Sequence, residues 1–196
     1  MEILFTLGLF ALVSSITPGP NNLMLMSSGA NFGLRKTVPH MLGVALGFTF
    51  MVFLVGLGII QLFDQFPASY EILKWFSVIY LTYLAYKIAR SGKPTEGETP
   101  KSKPMTFLQA ASFQWVNPKA WTMALSAISL YAPERDFASV LIVTLIFGLV
   151  NFPSISVWVL MGQQIQRFLT SAVKLKVFNY SMASLLLLSL YPVVIG

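Results

Sequence analysis

A short polar segment interrupts a long apolar stretch near the start of the chain. The nine residues from Ser14 to Asn22 include two prolines and a glycine, and the whole stretch from Ile3 to Phe32 is otherwise mostly apolar. Each proline removes a backbone N–H donor and its ring collides with the preceding turn, so this segment cannot continue an α-helix. At about 1.5 Å per residue the stretch is also too long for one straight bilayer crossing. We therefore predict a membrane helix that is broken near its middle.

The composition supports this assignment to a membrane. Of the 196 residues, 56% are hydrophobic and only 10% are charged, whereas soluble domains have about 25% charged residues. Apolar windows long enough to cross about 30 Å of hydrocarbon predict an all-α integral membrane protein with six transmembrane helices. The predicted spans cover residues 3–32, 39–60, 72–90, 105–131, 138–162 and 175–194.

A hydrophilic linker divides the chain nearly in half. Residues 91–104 are rich in Pro, Gly, Lys and Glu, and three predicted helices lie on each side, in residues 3–90 and 105–194. Because three is an odd number of crossings, the two halves run in opposite directions, which is the arrangement of an inverted repeat. We predict a single transmembrane domain over residues 1–196, built as a 3+3 inverted repeat.

The basic residues predict the orientation of these helices. Of the 13 basic residues, ten fall on one face of the six-helix topology, Lys74 and Arg135 fall on the other, and Lys119 lies inside a span. An excess of Lys and Arg marks the cytoplasmic face, so both termini are expected on the outer side. The net charge of +6 is then a topology signal, and nucleic-acid binding is not expected. The ten residues are Arg35, Lys36, Lys87, Arg90, Lys93, Lys101, Lys103, Arg167, Lys174 and Lys176.

The second half contains a matching interruption. Asn117, Pro118 and Lys119 lie inside the fourth predicted helix, and Pro118 follows Pro18 by one hundred residues. Broken helices at corresponding positions of two repeats indicate the binding site of a transporter. The alternative for either break alone is a proline kink whose backbone groups are satisfied by neighbouring helices.

The two breaks supply the groups that a zwitterionic amino acid requires. A half-helix beginning at Asn117-Pro118, or at one of the proline steps of the first break, presents free N–H groups and partial positive charge to a carboxylate. The carbonyls released by the preceding half-helix suit an ammonium group, and asparagine amides can serve either end. The predicted substrate-binding residues are Thr17, Pro18, Gly19, Pro20, Asn21, Asn22, Asn117, Pro118, Lys119 and Asn151.

Three polar residues in the predicted spans leave alternatives open. A lysine at mid-bilayer costs about 2.5 to 3.5 kcal/mol unless it has a partner or water, so Lys119 is either a carboxylate anchor or coupling charge, or a cap for carbonyls at the break. Asn151, close to Pro153, marks either a kink or an amide that lines the site. His40 is either an interfacial histidine or a proton carrier.

Other classes of function lack the residues they need. The sequence contains no zinc-protease, serine-hydrolase or P-loop motif, no intramembrane carboxylate pair and no cysteine. We therefore expect no enzyme activity, no metal and no cofactor. Gly29/Gly33 and Gly43/Gly47 fit the G-x-x-x-G pattern, which favours close packing within one subunit and leaves a homodimer contact as the alternative. A non-transporting scaffold or accessory subunit that uses these faces is the rival hypothesis.

Three segments resemble the lysine exporter and homoserine/threonine exporter family. They are Thr17-Pro18-Gly19-Pro20-Asn21-Asn22, Gly33-Leu34-Arg35 and Asn117-Pro118-Lys119-Ala120-Trp121. The chain length and the six-span pattern agree with this family as well. The resemblance implies a secondary transporter in the cell inner membrane that exports amino acids or close derivatives and is driven by the proton gradient. Its expected partners are a small-molecule substrate and the lipid bilayer.

Overall fold

The regular secondary structure of the described chain is helical. A computed structural model describes residues 2–59, 61, 65–66, 68–91 and 103–195. Residues 92–102 of the predicted linker, including Lys93 and Lys101, and Ile60 at the predicted end of the second span lie outside the described residues. The prediction of an all-α protein is confirmed. The helices are α1 (Glu2–Ile16), α2 (Pro20–Phe32), α3 (Leu34–Gly56), α4 (Ala68–Ala89), α5 (Phe107–Phe113) with a 3₁₀ turn (Gln114–Val116), α6 (Pro118–Tyr131), α7 (Phe137–Gln166), α8 (Ala172–Leu188) and α9 (Tyr191–Ile195).

Several of these helices are able to span a membrane. By length and composition α3, α7 and the segment Ala172–Ile195 qualify, and the bent pair α1 and α2 makes a fourth span if it is counted as one. The spans predicted at 72–90 and 105–131 correspond to α4 and to α5 with α6, which do not qualify among the described residues, so they stay predictions. Large apolar side chains cover the outside, and Phe5, Ile79 and Leu149 are 72%, 67% and 75% exposed. Such a surface suits lipid contact rather than water.

The first helix is broken where the prolines predict. α1 ends at Ile16, α2 begins at Pro20, and the two helix axes meet at 55°. Gly19 is the N-cap of α2 in an extended conformation, and Pro20 occupies the first helical position. Proline is suited to that position because a backbone N–H there would have no hydrogen-bond partner inside the helix, so the helix loses no hydrogen bond.

The second break has the predicted capping geometry. α5 begins with a capping box between Thr106 and Gln109, and after seven residues it tightens into the 3₁₀ turn. Asn117 follows in an extended conformation as the N-cap of α6, with Pro118 at the first helical position. The Asn117 Oδ1 atom accepts a hydrogen bond from Lys119 N at 3.2 Å. The predicted Asn117-Pro118 helix start is confirmed.

Small residues bring α2 and α7 into close contact. A Cβ atom at Gly29 would lie 2.4 Å from Val159 O, and one at Gly162 would lie 2.1 Å from Met26 O. The two glycines therefore allow each helix to touch the backbone of the other. This contact holds α2, which begins at the first break, against the long helix that carries Asn151.

The second glycine pair packs α3 against α5 in the same way. A Cβ atom at Gly43 would lie 2.4 Å from Phe107 O, and one at Gly47 would lie 2.6 Å from Ala111 Cα. Gly33 differs, because it has a φ of 80° and separates α2 from α3. Gly29, Gly43 and Gly47 thus pack inside one subunit.

We expect Gly162→Ala to lower the free energy of unfolding by about 1 to 3 kcal/mol, because the added methyl group forces α2 and α7 apart. The measurement is thermal unfolding of the purified protein in detergent. Gly8→Ala is the matched control, since nothing lies within 4 Å of the position of its Cβ. Equal melting temperatures for the two variants would contradict the close α2–α7 contact.

Candidate functional site

A reciprocal pair of side-chain amides joins the two breaks. Asn21 Nδ2 donates to Gln114 Oε1 at 2.8 Å, and Gln114 Nε2 donates back to Asn21 Oδ1 at 3.2 Å. Gln114 Nε2 also donates to Ala110 O at 2.8 Å, and the Gln114 side chain is fully buried. Gln114 is not among the predicted site residues, although a glutamine inside an apolar span, three residues before Asn117, was an available signal.

Lys119 reaches from α6 to the end of α1. Its Nζ atom donates to Thr17 O at 2.6 Å, to Thr17 Oγ1 at 2.9 Å and to Pro18 O at 3.2 Å. The lysine ammonium therefore occupies carbonyl oxygens that were predicted to bind a substrate ammonium. Of the alternatives for Lys119, carbonyl capping is the one that this conformation adopts.

Two further side chains donate hydrogen bonds to carbonyls at the first break. Asn22 Nδ2 donates to Ser15 O and to Thr17 O, both at 2.8 Å. Trp158 Nε1 on α7 donates to Ile16 O at 3.0 Å. A helix end inside a membrane protein needs such partners, because lipid offers its backbone none. The break is thus stabilised by donors from its own half of the chain and from the other half.

Gly19 provides the space in which the Lys119 side chain lies. A Cβ atom at Gly19 would come within 2.5 Å of Lys119 Cδ. The φ of Gly19 is −179°, an extended value that any residue adopts. The requirement for glycine here is therefore one of space, and a larger residue would displace the lysine from its carbonyl partners.

A small polar cavity lies between the two breaks. Its volume is about 20 Å³, enough for about one water molecule, so an amino acid enters only if the helices move. The residues in its wall come from α1, both breaks, α3, α6 and α7. The polar residues and the glycine among them are Ser14, Ser15, Gly19, Asn21, Asn22, Asn117, Lys119 and Asn151.

Two buried polar atoms in the wall of this cavity lack hydrogen-bond partners among the described residues. Ser15 Oγ and Asn151 Nδ2 make no hydrogen bond to any other described residue, and their side chains are 3% and 4% exposed. Each buried polar group without a hydrogen-bond partner lowers the stability by about 1 to 3 kcal/mol. A polar occupant of the cavity is therefore favoured. α7 runs without interruption through Pro153, and Asn151 lines the cavity. Ser15 was missing from the predicted set, although it lies in the segment that marks the break.

The two half-helices differ at their N-termini. At α6 the Asn117 side chain accepts from Lys119 N, whereas at α2 no side chain of the described residues caps the first N–H groups. The N–H groups of Asn21 and Asn22 at the start of α2 are therefore available to an anion, and the helix dipole adds a partial positive charge.

A larger vestibule lies on the other side of Lys119. Its volume is about 780 Å³, and it lies against the start of α4 (Tyr70, Glu71 and Lys74) and the segment that holds Ser189 and Pro192. Gly19 and Lys119 line both the vestibule and the small cavity, so they form part of the wall between them. Of the remaining predicted residues, Pro18, Pro20 and Pro118 line the vestibule, and Thr17 joins the site through its contacts with Lys119.

Comparison with known proteins identifies a family for this chain. The sequence profile of the LysE type translocators matches residues 12–190, a range that contains both breaks. The chain belongs to the LysE type translocator family. This LysE type translocator is therefore a membrane transporter and not an enzyme, and its substrate is a small molecule. Family membership also favours transport over the scaffold hypothesis.

Individual relatives of this LysE type translocator are efflux proteins. The cysteine/O-acetylserine efflux proteins of Escherichia coli (strain K12) and of Shigella sonnei (strain Ss046) are each 29% identical to it over 160 residues. Each alignment covers 81% of this chain and 81% of the relative. No solved structure matches the chain.

Proposed function

We propose that this protein exports amino acids or close derivatives across the cell inner membrane by alternating access around its two helix breaks. The observation that carries the proposal is the meeting of both breaks at one polar cavity, which offers an uncapped helix N-terminus and an unpartnered amide. The names of the relatives support a substrate of the size of cysteine or O-acetylserine. All ten predicted substrate-binding residues belong to this proposal.

Each end of a zwitterionic substrate has a counterpart in the site. The substrate carboxylate binds the N–H groups at the start of α2, and the Asn151 amide donates to it or to the side chain of the substrate. The substrate ammonium competes with Lys119 for the oxygens of Thr17 and Pro18. Displacement of the lysine removes part of the wall toward the vestibule, so substrate binding and opening occur together.

The helix contacts support the 3+3 inverted repeat. In the first half α1 and α2 both pack against α7, and in the second half α5 and α6 both pack against α3. The remaining helices of the two halves, α4 and α8, pack against each other, as do α3 and α7. Exchange of residues 3–90 with residues 105–194 therefore leaves these four sets of contacts unchanged, as two related halves require.

The orientation follows from the distribution of the basic residues. With the Lys-rich ends of the helices in the cytoplasm, both termini and the start of α4 lie on the outer side. The vestibule against Glu71 and Lys74 then opens outward, and the conformation described here is closed at the central cavity. Export requires a second conformation in which that cavity opens toward the cytoplasm.

The proposal is tested by exchange in proteoliposomes. Liposomes loaded with one unlabelled amino acid are assayed for uptake of the labelled compound, with L-cysteine, O-acetyl-L-serine, L-threonine and L-lysine as the panel. We expect at least one of them to exchange faster than in protein-free liposomes. Asn151→Ala is expected to slow this exchange about tenfold, because one hydrogen bond to a charged group contributes about 1.5 kcal/mol or more.

Thr6→Ala is the control, since this exposed hydroxyl makes only a local hydrogen bond to Ile3 O in α1. Absence of exchange throughout the panel would contradict the function, and wild-type exchange by Asn151→Ala would contradict the site. The same liposomes test the driving force, because an imposed pH gradient should accelerate net export if protons are coupled to it. An unchanged rate would indicate facilitated exchange instead.

A further inference from the structure

A second polar cavity lies beside α2, away from the breaks. Its volume is about 50 Å³, room for about three or four water molecules, so it admits a small group such as a carboxylate but not a whole amino acid. Ser27 and Ser28 of α2 and His40 of α3 line its inner part, and Lys87 and Lys103 also contribute to its wall. The mechanism proposed above does not use any of these residues.

His40 is the most unusual member of this cavity. Its side chain is 2% exposed, and neither ring nitrogen has a hydrogen-bond partner among the described residues. A neutral imidazole carries one donor and one acceptor, and each buried group without a partner costs about 1 to 3 kcal/mol. The ring therefore needs an occupant of the cavity that both accepts and donates hydrogen bonds.

The charges around the cavity define that occupant further. Lys87 and Lys103 line it, and no acidic residue does so in the described part of the chain. Lys103 is exposed, while Lys87 is half-buried and its Nζ lies 5.6 Å from the centre of the Tyr83 ring. Two ammonium groups without a carboxylate favour an anionic group. The occupant must therefore be anionic, and it must both accept and donate hydrogen bonds. A molecule with a carboxylate and a separate hydrogen-bond donor meets these conditions, because its carboxylate accepts from His40.

One face of α2 connects this cavity with the central one. Asn21 lines the central cavity, and Met24, Ser28 and Phe32 line the second. These residues follow one another at spacings of three and four, so they lie along one face of the helix. At the end of the second cavity nearer the breaks α2 presents Met24, which belongs to the same buried apolar cluster as Phe113 and Val116 beside the second break. The two cavities are therefore consecutive along the same helix.

We propose that the cavity beside α2 is a loading subsite, where the carboxylate of an amino acid binds to His40 before the molecule moves to the central site. This assignment rests on the export function proposed above. Lys87 and Lys103 attract the carboxylate from the cytoplasm, and the Ser27 hydroxyl offers a further polar contact. The substrate then passes Met24 to reach the N-terminus of α2.

The subsite is tested by uptake into inside-out membrane vesicles, which expose the cytoplasmic face to the assay solution. With labelled O-acetyl-L-serine as the probe, we expect His40→Ala to raise KM about five- to tenfold, the effect of one lost hydrogen bond, with little change in the maximal rate. His40→Gln keeps a donor and an acceptor and should restore KM to near the wild-type value. Lys87→Met should raise KM as well, whereas Lys36→Met, which removes an exposed charge away from the cavity, should not.

An unchanged KM in His40→Ala would overturn the subsite while leaving the export function intact. A wild-type protein that transports none of the amino acids would instead overturn the function itself, together with the subsite. A fall in the maximal rate alone, with no rescue by His40→Gln, would show a structural role for His40 and would also overturn the subsite.

A second measurement needs no substrate. Because the chain contains no cysteine, Ser27→Cys introduces a single thiol into this cavity. We expect anionic methanethiosulfonate reagents to label it from the cytoplasmic side several times faster than cationic ones, after normalisation to free cysteine, because of the two lysines. Lys87→Met with Lys103→Met should remove the preference. A preference for the cationic reagent, or no labelling from that side, would overturn the proposal.

Discussion

Lys119→Met is expected to reduce amino-acid exchange about tenfold or more while the protein still folds. The replacement removes the ammonium that joins α6 to the end of α1, so Thr17 O loses one of its two donors and Pro18 O loses its donor. We expect a loss of stability of about 1 to 3 kcal/mol from these groups. The larger effect is expected on the rate of exchange, because the wall between the central cavity and the vestibule loses the hydrogen bonds of Lys119 to Thr17 and Pro18.

The measurement is counterflow in proteoliposomes, together with thermal unfolding of the same samples. Lys119→Arg keeps the positive charge and should retain more activity than Lys119→Met. Lys174→Met, an exposed lysine at the start of α8, is the control for loss of a positive charge and should behave as wild type. Wild-type exchange by Lys119→Met would show that the contact with α1 has no part in transport.

The amide pair between Asn21 and Gln114 is expected to act as one unit in both stability and transport. Each single replacement by alanine leaves the partner amide, buried for Gln114 and partly buried for Asn21, without its main contact, at a cost of about 1 to 3 kcal/mol. The double replacement should cost less than the sum, by about 1 kcal/mol or more, because the second change removes a group that has already lost its partner. Exchange should fall about tenfold in either single variant and only slightly further in the double variant.

A second amide pair provides the matched control for this cycle. Asn31 Nδ2 donates to Asn179 Oδ1 at 2.7 Å, and Asn179 Nδ2 donates back to Asn31 Oδ1 at 3.1 Å. This pair joins α2 to α8 and lines neither cavity. Its cycle, measured by equilibrium unfolding in mixed micelles, should show a similar coupling energy with a much smaller loss of exchange. Additive effects of Asn21→Ala and Gln114→Ala on both readouts would contradict the role of the pair.

The comparison of the two amide pairs also separates two roles of α2. At its N-terminus the helix joins the first break to the second through Asn21, and ten residues later it joins α8 through Asn31. Both contacts are partly buried and use the same chemistry. If alternating access moves the breaks relative to each other, only the contact through Asn21 has to change during transport.

The sequence by itself determined the class of the protein and the positions of the breaks. Composition predicts a membrane protein because a surface that contacts lipid requires many apolar residues, and their number is visible in the sequence. Prolines and helix caps act on the one or two residues next to them, so the local sequence is enough to predict the helix starts at Pro20 and at Pro118. The predicted residues Gly19, Asn21, Asn22, Asn117 and Lys119 lie at these two breaks and line the central cavity, as does Asn151 of α7.

Only the tertiary structure decided which groups satisfy one another. Gln114 and Asn21 are 93 residues apart, and Lys119 and Thr17 are 102 apart, so no local pattern links them. Among the carbonyls released at the first break, the one at Ile16 is satisfied by Trp158 from a third helix. The burial of His40 likewise depends on the packing of α3 against its neighbours. Local chemistry determines where a helix ends, but the partners of its free backbone groups depend on how distant helices pack.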